Sequence, residues 1–181
     1  IQGSLSLKVN GESVPDKRVG KRVTLESKAL QALEFVAVQL KPGRNQLEVE
    51  MLDSFGNPRE RVTLDVVAPG PLARLVLKVP ETAPADGRTP IKVQVHLVDT
   101  AGVPVQARTV LNLDTSAGRW NVKDLNPAEP GTQVVVVGGQ GEFELLPPTA
   151  PGDGRISLSS NLISASARLA YLPDLRPLTG I

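Results

Sequence analysis

Ile91-Lys92-Val93-Gln94-Val95-His96-Leu97 alternates apolar and polar side chains without a break. A period of two sends successive side chains to opposite faces of a strand, so one face meets a core and the other meets water. The turn-forming stretch Asp99-Thr100-Ala101-Gly102-Val103-Pro104 follows, and Val105, Ala107, Thr109, Leu111 and Leu113 then resume on one face. The pattern predicts that these two segments form a half-buried antiparallel hairpin. Ile91, Val93, Val95 and Leu97 point inward in it, and Lys92, Gln94 and His96 outward. Comparable runs recur along the chain with almost nothing helical between them, which predicts an all-β fold.

Composition narrows the function classes. At 181 residues the chain makes one or two domains, and its 16 Gly and 16 Pro suit many short strands joined by turns. Lys plus Arg number 20 against 19 Asp plus Glu, a net charge of +1, so nothing electrostatic calls for nucleic acid or an anionic membrane. No apolar run reaches the length of a membrane-spanning helix. Cysteine is absent, which removes disulfides, thiolate metal sites and cysteine nucleophiles together. That suits a bacterial envelope protein crossing an oxidising space, and it suits a cytosolic module too. A single histidine leaves little for general-base or metal chemistry. With Ile1 at one end and Ile181 at the other, the chain reads as a piece of a longer protein.

The sharpest break in composition is Ala68-Pro69-Gly70-Pro71, a short stiff linker that cannot join a sheet interior. It predicts a small β-sandwich over residues 1–70, a second over 71–173, and an exit segment over 174–181. Strands are expected at 5–9, near 23–25, at 35–40, 47–51 and 62–66, with turns at Asn10-Gly11, Pro42-Gly43 and Gly56-Asn57-Pro58. Residues 27–33 read either as one helical turn carrying Ala29, Leu30 and Leu33 or as a strand. So small a first domain buries a modest share of its surface and leans on its neighbour. In the second segment Leu75, Leu77 and Val79 begin a series of seven or eight strands. Asp86-Gly87, Ser116-Ala117-Gly118, a loop at 121–130 and Gly138-Gly139 interrupt it, and 134–137 has the look of a buried run. Strands at this spacing argue a sandwich. Asp-x-x-Gly-x-Pro occurs twice, at Asp53, Gly56, Pro58 and at Asp99, Gly102, Pro104, and reads as a recurring hairpin turn.

In order, Ala85-Asp86-Gly87-Arg88-Thr89, Val93-Gln94-Val95, Asp99-x-x-Gly-x-Pro104-Val105, Leu113-x-Thr115-Ser116-x-Gly118 and Gly141-x-Phe143 resemble the bacterial immunoglobulin-like domain of invasin- and intimin-type surface adhesins. The resemblance covers about 72–173. More loosely, Val9-Asn10-Gly11 and Pro42-Gly43-x-Asn45-x-Leu47 resemble another bacterial immunoglobulin-like or fibronectin-like module. It implies two such sandwiches in tandem, serving as spacers or binding modules of a surface protein. It carries no catalytic residues. The insertion at 119–132 departs from the pattern.

Residue by residue, the candidates for chemistry are few. His96 falls on the solvated face of its strand, without a Gly-x-Ser-x-Gly or phosphate-binding loop in the chain to accompany it. Gly138-Gly139-Gln140-Gly141 is followed by a strand and reads as a hairpin turn. Glu48 with Glu50 and Glu142 with Glu144 read as solvated strand exteriors. Asp53, Asp99, Asp114 and Asp153 stand singly beside turns, where Asx-turn chemistry explains them better than calcium does. Lys17-Arg18-Val19-Gly20-Lys21-Arg22 is a basic patch able to touch lipopolysaccharide or another polyanion. With Glu12, Asp16 and Glu26 diluting it, a solvated loop is the favoured reading. Phe35, Phe55, Phe143 and Tyr171 fit core positions. Trp120 either caps one end of the sandwich or, with Arg119, forms an exposed contact.

The expectation is therefore a module with Arg119 and Trp120 as its binding residues and with no catalytic residue, metal or cofactor. It would act as a spacer or docking domain of a larger bacterial envelope protein, outer membrane-associated or at the cell surface, with the periplasm as the alternative. Its partners would be neighbouring domains or a macromolecular surface partner. The alternative is a carbohydrate-binding or accessory module of a secreted hydrolase, for which an exposed aromatic strip would speak.

Overall fold

The computed structural model describes residues 3–25, 27 and 30–174. The fold is all-β, and the chain divides into two compact units, Ile1–Gly70 and Pro71–Ile181. Pro69, Gly70 and Pro71 lie outside any strand.

In the first unit β1 (Ser4–Val9), β2 (Glu12–Ser13), β5 (Gly43–Leu52) and β6 (Pro58–Ala68) form a four-stranded antiparallel sheet in the order β2-β1-β5-β6. β3 (Val19–Leu25) and β4 (Leu30–Phe35) make a separate hairpin. Register fixes the faces of the larger sheet. Leu7, Val49 and Val62 stand side by side, as do Val9, Leu47 and Leu64, so one face is apolar. Lys8, Glu48 and Thr63 form a row on the other face, next to Glu50 and Arg61. Asn45, fully buried, ties the sheet to its loops. Its amide nitrogen donates to the carbonyls of Lys41 (2.7 Å) and Gly43 (3.0 Å), and its oxygen accepts from Asn10 and from the Lys41 amide.

Three expectations change here. Residues 35–40 are not a strand, because β4 ends at Phe35 and Ala37 takes a left-handed φ of 52°, which turns the chain out of pleat. Of the two readings of 27–33, Leu30–Phe35 takes the strand, while Ala29 lies outside the described residues. The basic run at 17–22 is no loop. It is a 3-10 turn over Asp16–Arg18 that leads into β3.

The second unit is a sandwich. β8 (Thr82–Pro84), β10 (Thr109–Thr115), β12 (Thr132–Val136), β14 (Gly152–Ser160) and β15 (Ile163–Leu172) make one sheet, in the order β12-β10-β14-β15-β8. β7 (Arg74–Lys78), β9 (Ile91–Val98), β11 (Arg119–Trp120) and β13 (Gln140–Leu146) make the other, in the order β11-β13-β9-β7. Between β7 and β8 the chain switches sheets through Val79-Pro80-Glu81, and β8 then pairs parallel with β15. Ile91, Val93, Val95 and Leu97 are buried while Lys92 and Gln94 are exposed, as their alternation predicts. Two clusters fill the space between the sheets. One gathers Leu75, Val95, Leu97, Leu111, Leu113, Val134, Val136 and Leu158. The other gathers Ala83, Ala85, Ile91, Val93, Leu145, Ile156, Leu169 and Tyr171.

β9 and β10 do not form the expected hairpin. β9 pairs with β7 and β13, whereas β10 pairs with β12 and β14 in the opposite sheet. The turn at 99–104 folds back on β9 through a Val98–Pro104 bridge and a Val105 amide donating to the Leu97 carbonyl at 2.9 Å. Residues 106–108 then leave that sheet. Leu97 and Leu111, both fully buried, sit in one cluster because each strand shows its apolar face to the other across the core. In the run 134–137, Val137 is exposed, since Gly138 and Gly139 (φ 76° and 73°) turn the chain between the two sheets.

Candidate interaction surfaces

Arg119 and Trp120 form the two-residue β11 at the edge of one sheet, opposite Leu146 and Leu145. Arg119 is exposed. Trp120 is half-buried, packs against both core clusters, and has a buried indole N–H without an acceptor among the described residues. The ring thus holds the capping position, leaving its polar tip unpaired. The insertion behind it is pinned from within. Asp124 Oδ1 accepts the amides of Asn126 and Gln133, each at 3.0 Å. The buried Gln133 side chain donates to Asn112 and to the Pro130 carbonyl. Asn121 reaches back to Glu144 of β13 at 2.9 Å.

His96 is half-buried on the outward side of β9, opposite Gln140 and Val76. Nearby, Glu142 accepts from Gln94 (3.2 Å) and pairs with Lys92 (3.0 Å). The Gln94 hydrogen bond, then Lys92, hold its carboxyl below the usual value. Glu50 departs from the solvated reading, being only 5% exposed. Arg61 donates to it through Nε (3.1 Å) and Nη2 (2.6 Å), and the Lys8 ammonium stands 3.4 Å away. These two long side chains cover the carboxylate from the flanking strands and compensate its desolvation. Led by the Arg61 hydrogen bond, they hold the Glu50 carboxyl below its ordinary value.

The two Asp-x-x-Gly-x-Pro turns share one hydrogen-bond pattern. Asp53 Oδ1 accepts the amides of Phe55 and Asn57, and Asp99 Oδ1 those of Ala101 and Val103, all at 2.9 Å. Gly56 and Gly102 take φ of 82° and 83°, which a side chain would strain. Asp53 is held below the usual carboxylate range first by the Asn57 amide. Among the described residues, no group of three or more His, Asp or Glu side chains is close enough to hold a metal ion. Nor is any described helix long and apolar enough to cross a membrane.

Phe55 is not a core residue. It stands 87% exposed at the tip of the β5–β6 turn, because Asp53 uses the backbone around it and leaves the ring no sheet to face. Below it runs an open apolar strip of Val49, Met51, Val62 and Leu64. Among the described residues, eleven of the sixteen exposed large apolar side chains belong to the first unit. Of the twenty buried apolar ones it holds only Leu7 and Val9. Alternation marks 47–51 and 62–64 as one-faced strands, yet it does not show how far the apolar face stays exposed.

No protein-family model matches the sequence, and no curated protein is similar to it at the sequence level. Solved structures share its fold. A family 2 glycosyl hydrolase from Bacteroides cellulosilyticus aligns with TM-score 0.51 and 18% identity over 93% of this chain and 21% of its own. A β-glucuronidase of glycoside hydrolase family 2 aligns with TM-score 0.53 and 17% identity over 95% of this chain and 18% of its own. Invasin, a bacterial integrin-binding protein, aligns with TM-score 0.48 and 17% identity over 97% of this chain and 33% of its own. The chain thus spans about a fifth of the length of the hydrolases it matches. At these identities the likeness to the two hydrolases is one of fold alone.

Proposed function

We propose that this chain is a non-catalytic module of a larger bacterial envelope or cell-surface protein, where it spaces and docks neighbouring domains or a macromolecular partner. The observation that carries the reading is the open apolar strip of β5 and β6 with Phe55 at its end. Contiguous exposed apolar surface marks an interaction site. Arg119, exposed beside the ordered insertion, is a second contact point, with Trp120 fixing its position from within. Pro69 and Pro71 add stiffness between the two units. The match to a part of much longer chains supports a module, not a complete enzyme.

One observation favours a second reading. Alignments at TM-scores of 0.51 and 0.53 run along nearly the whole chain in two family 2 hydrolases, which supports an accessory module of a secreted glycoside hydrolase. Calorimetric titration of the 181-residue chain with sugars, Ca²⁺ and nucleotides, beside an aryl-glycoside assay, tests both. The spacer reading expects no saturable heat and no turnover. Saturable sugar binding lost in Phe55→Ala would favour the hydrolase accessory, and turnover by the chain alone would overturn both.

A further inference from the structure

β6 is the longest of the described strands, eleven residues over Pro58–Ala68, and it stands at the rim of its sheet. β5 bonds one edge of it, and the other edge has no partner among the described strands. The other rims of the four-stranded and five-stranded sheets are short. β2 and β11 have two residues each, β8 has three, and β7 and β12 have five. A short rim denies a second chain a template, whereas a long one offers it. β6 also lacks the common guards of an edge. It holds no Lys, its one Pro is its first residue, and its register irregularity lies at that same end, beside Leu52. Val62 and Leu64 along it are each 59% exposed.

We propose that β6 pairs antiparallel with β6 of a second copy of this chain, in the register centred on Thr63, and so joins the two four-stranded sheets into one. The proposal rests on the docking reading above and names its occupant, which adjoins the outer flank of the strip at Val62 and Leu64. The strand's own sequence argues for it. Turned about a two-fold axis through Thr63, perpendicular to the sheet, the second strand sets Ala68 opposite Pro58 and uses the whole length of β6. Arg61 then faces Asp65 of the second copy on the charged side, and Asp65 faces its Arg61 in turn. On the apolar side Val62 and Leu64 meet twice. Opposite charges and apolar pairs directly across a ladder stabilise it, and like charges oppose it. Centring on Arg61 or Asp65 would set like charges opposite each other, and centring on Val62 or Leu64 would shorten the overlap. A carboxylate accepts from more than one guanidinium, so Asp65 keeps Arg44 and Arg61 keeps Glu50. Charge then alternates in sign from Lys8 through Glu50 and Arg61 to Asp65 and Arg44 of the second copy. Each copy spends its rim on the other, so the pairing closes at a dimer.

Sedimentation and cross-linking of the 181-residue chain test it. Over about 1–300 µM the chain should show a reversible dimer, weak because one strand pair makes a small interface. Asp65→Lys sets a cation opposite Arg61 and should weaken the dimer about tenfold or more with an unchanged circular dichroism spectrum. Glu129→Lys, the same charge change on the exposed insertion, should leave it intact. The chain has no cysteine, so one introduced thiol reports the register. Thr63→Cys places two thiols across the axis with Cα atoms about 4.5–5.5 Å apart, and mild oxidation should link most of the chain into a covalent dimer. Arg59→Cys and Val67→Cys keep their thiols roughly 25 Å apart and should stay largely unlinked. Equal linking at the three positions overturns the proposal. A sedimenting dimer in which Thr63→Cys stays unlinked lies on another surface and overturns it too. A chain monomeric throughout also overturns the self-pairing. Binding of a separate neighbouring domain, abolished by Val62→Thr with Leu64→Thr, would then show that the docking reading stands without it.

Discussion

Val95 is fully buried between Leu77 and Gly141 on the flanking strands. Replacing it with Asp places a carboxylate without a partner in an aliphatic core, at a cost on the order of 3–5 kcal/mol. His96→Ala, one residue on but facing outward, should stay within about 0.5 kcal/mol. Urea midpoints of the two variants check this, and equal midpoints would mean that the faces are reversed. Trp120 separates packing from hydrogen bonding. Trp120→Ala should cost about 3 kcal/mol, while Trp120→Phe, which keeps a ring and removes the unpaired N–H, should cost less than about 1 kcal/mol. Thermal unfolding of both variants distinguishes the two effects. The inward set on β9 was readable because a period of two leaves no choice of face. Phe55 was not readable, because an aromatic residue in a turn takes its burial from whatever lies beyond the turn, and this ring stands exposed.

At the scale of the element, the chain between strands decides what the strands cannot. β9 and β10 carry a hairpin's alternation, yet they belong to opposite sheets because the turn at 99–104 closes on β9 alone. Alternation tells which side of a strand is buried and says nothing about which neighbour it pairs with. Asp99→Ala removes the acceptor of two turn amides and should cost about 1–3 kcal/mol, read as a lowered denaturation midpoint with an unchanged slope. On the charged face of β1, β5 and β6, Glu50 faces Lys8 and Arg61, with Glu48 alongside. Its folded-state carboxyl titrates below the ordinary 4.5, so its contribution is intact above that value and fades as pH falls through the lowered one. Stability of the first unit, followed by denaturant titration from neutral pH downward, should decline below about pH 4.5, and Glu50→Gln should flatten that decline. Added salt should act on this cluster less than on the exposed pair of Arg44 and Asp65.

Across the whole molecule the two units differ in how far their cores are closed. Residues 71–174 hold both aliphatic clusters, so expressed alone they should unfold cooperatively. Residues 1–70 alone should bind an apolar dye and melt without a sharp transition, and a cooperative, dye-silent fragment would refute that. The all-β class and the sandwich of the second segment were legible, since both rest on local backbone chemistry. The open strip was not, because exposure depends on what lies opposite a strand, which no single strand records. The parallel pairing of β8 with β15 has a mechanical consequence. These paired strands come from near the two ends of the second unit's sequence, and tension applied at its two termini pulls them in opposing directions along a shared axis. Their hydrogen bonds are then loaded together in shear rather than unzipped one by one, which makes the unit resist extension. Single-molecule pulling should show a force peak that drops in Ala83→Pro, a substitution beside the Tyr171 register.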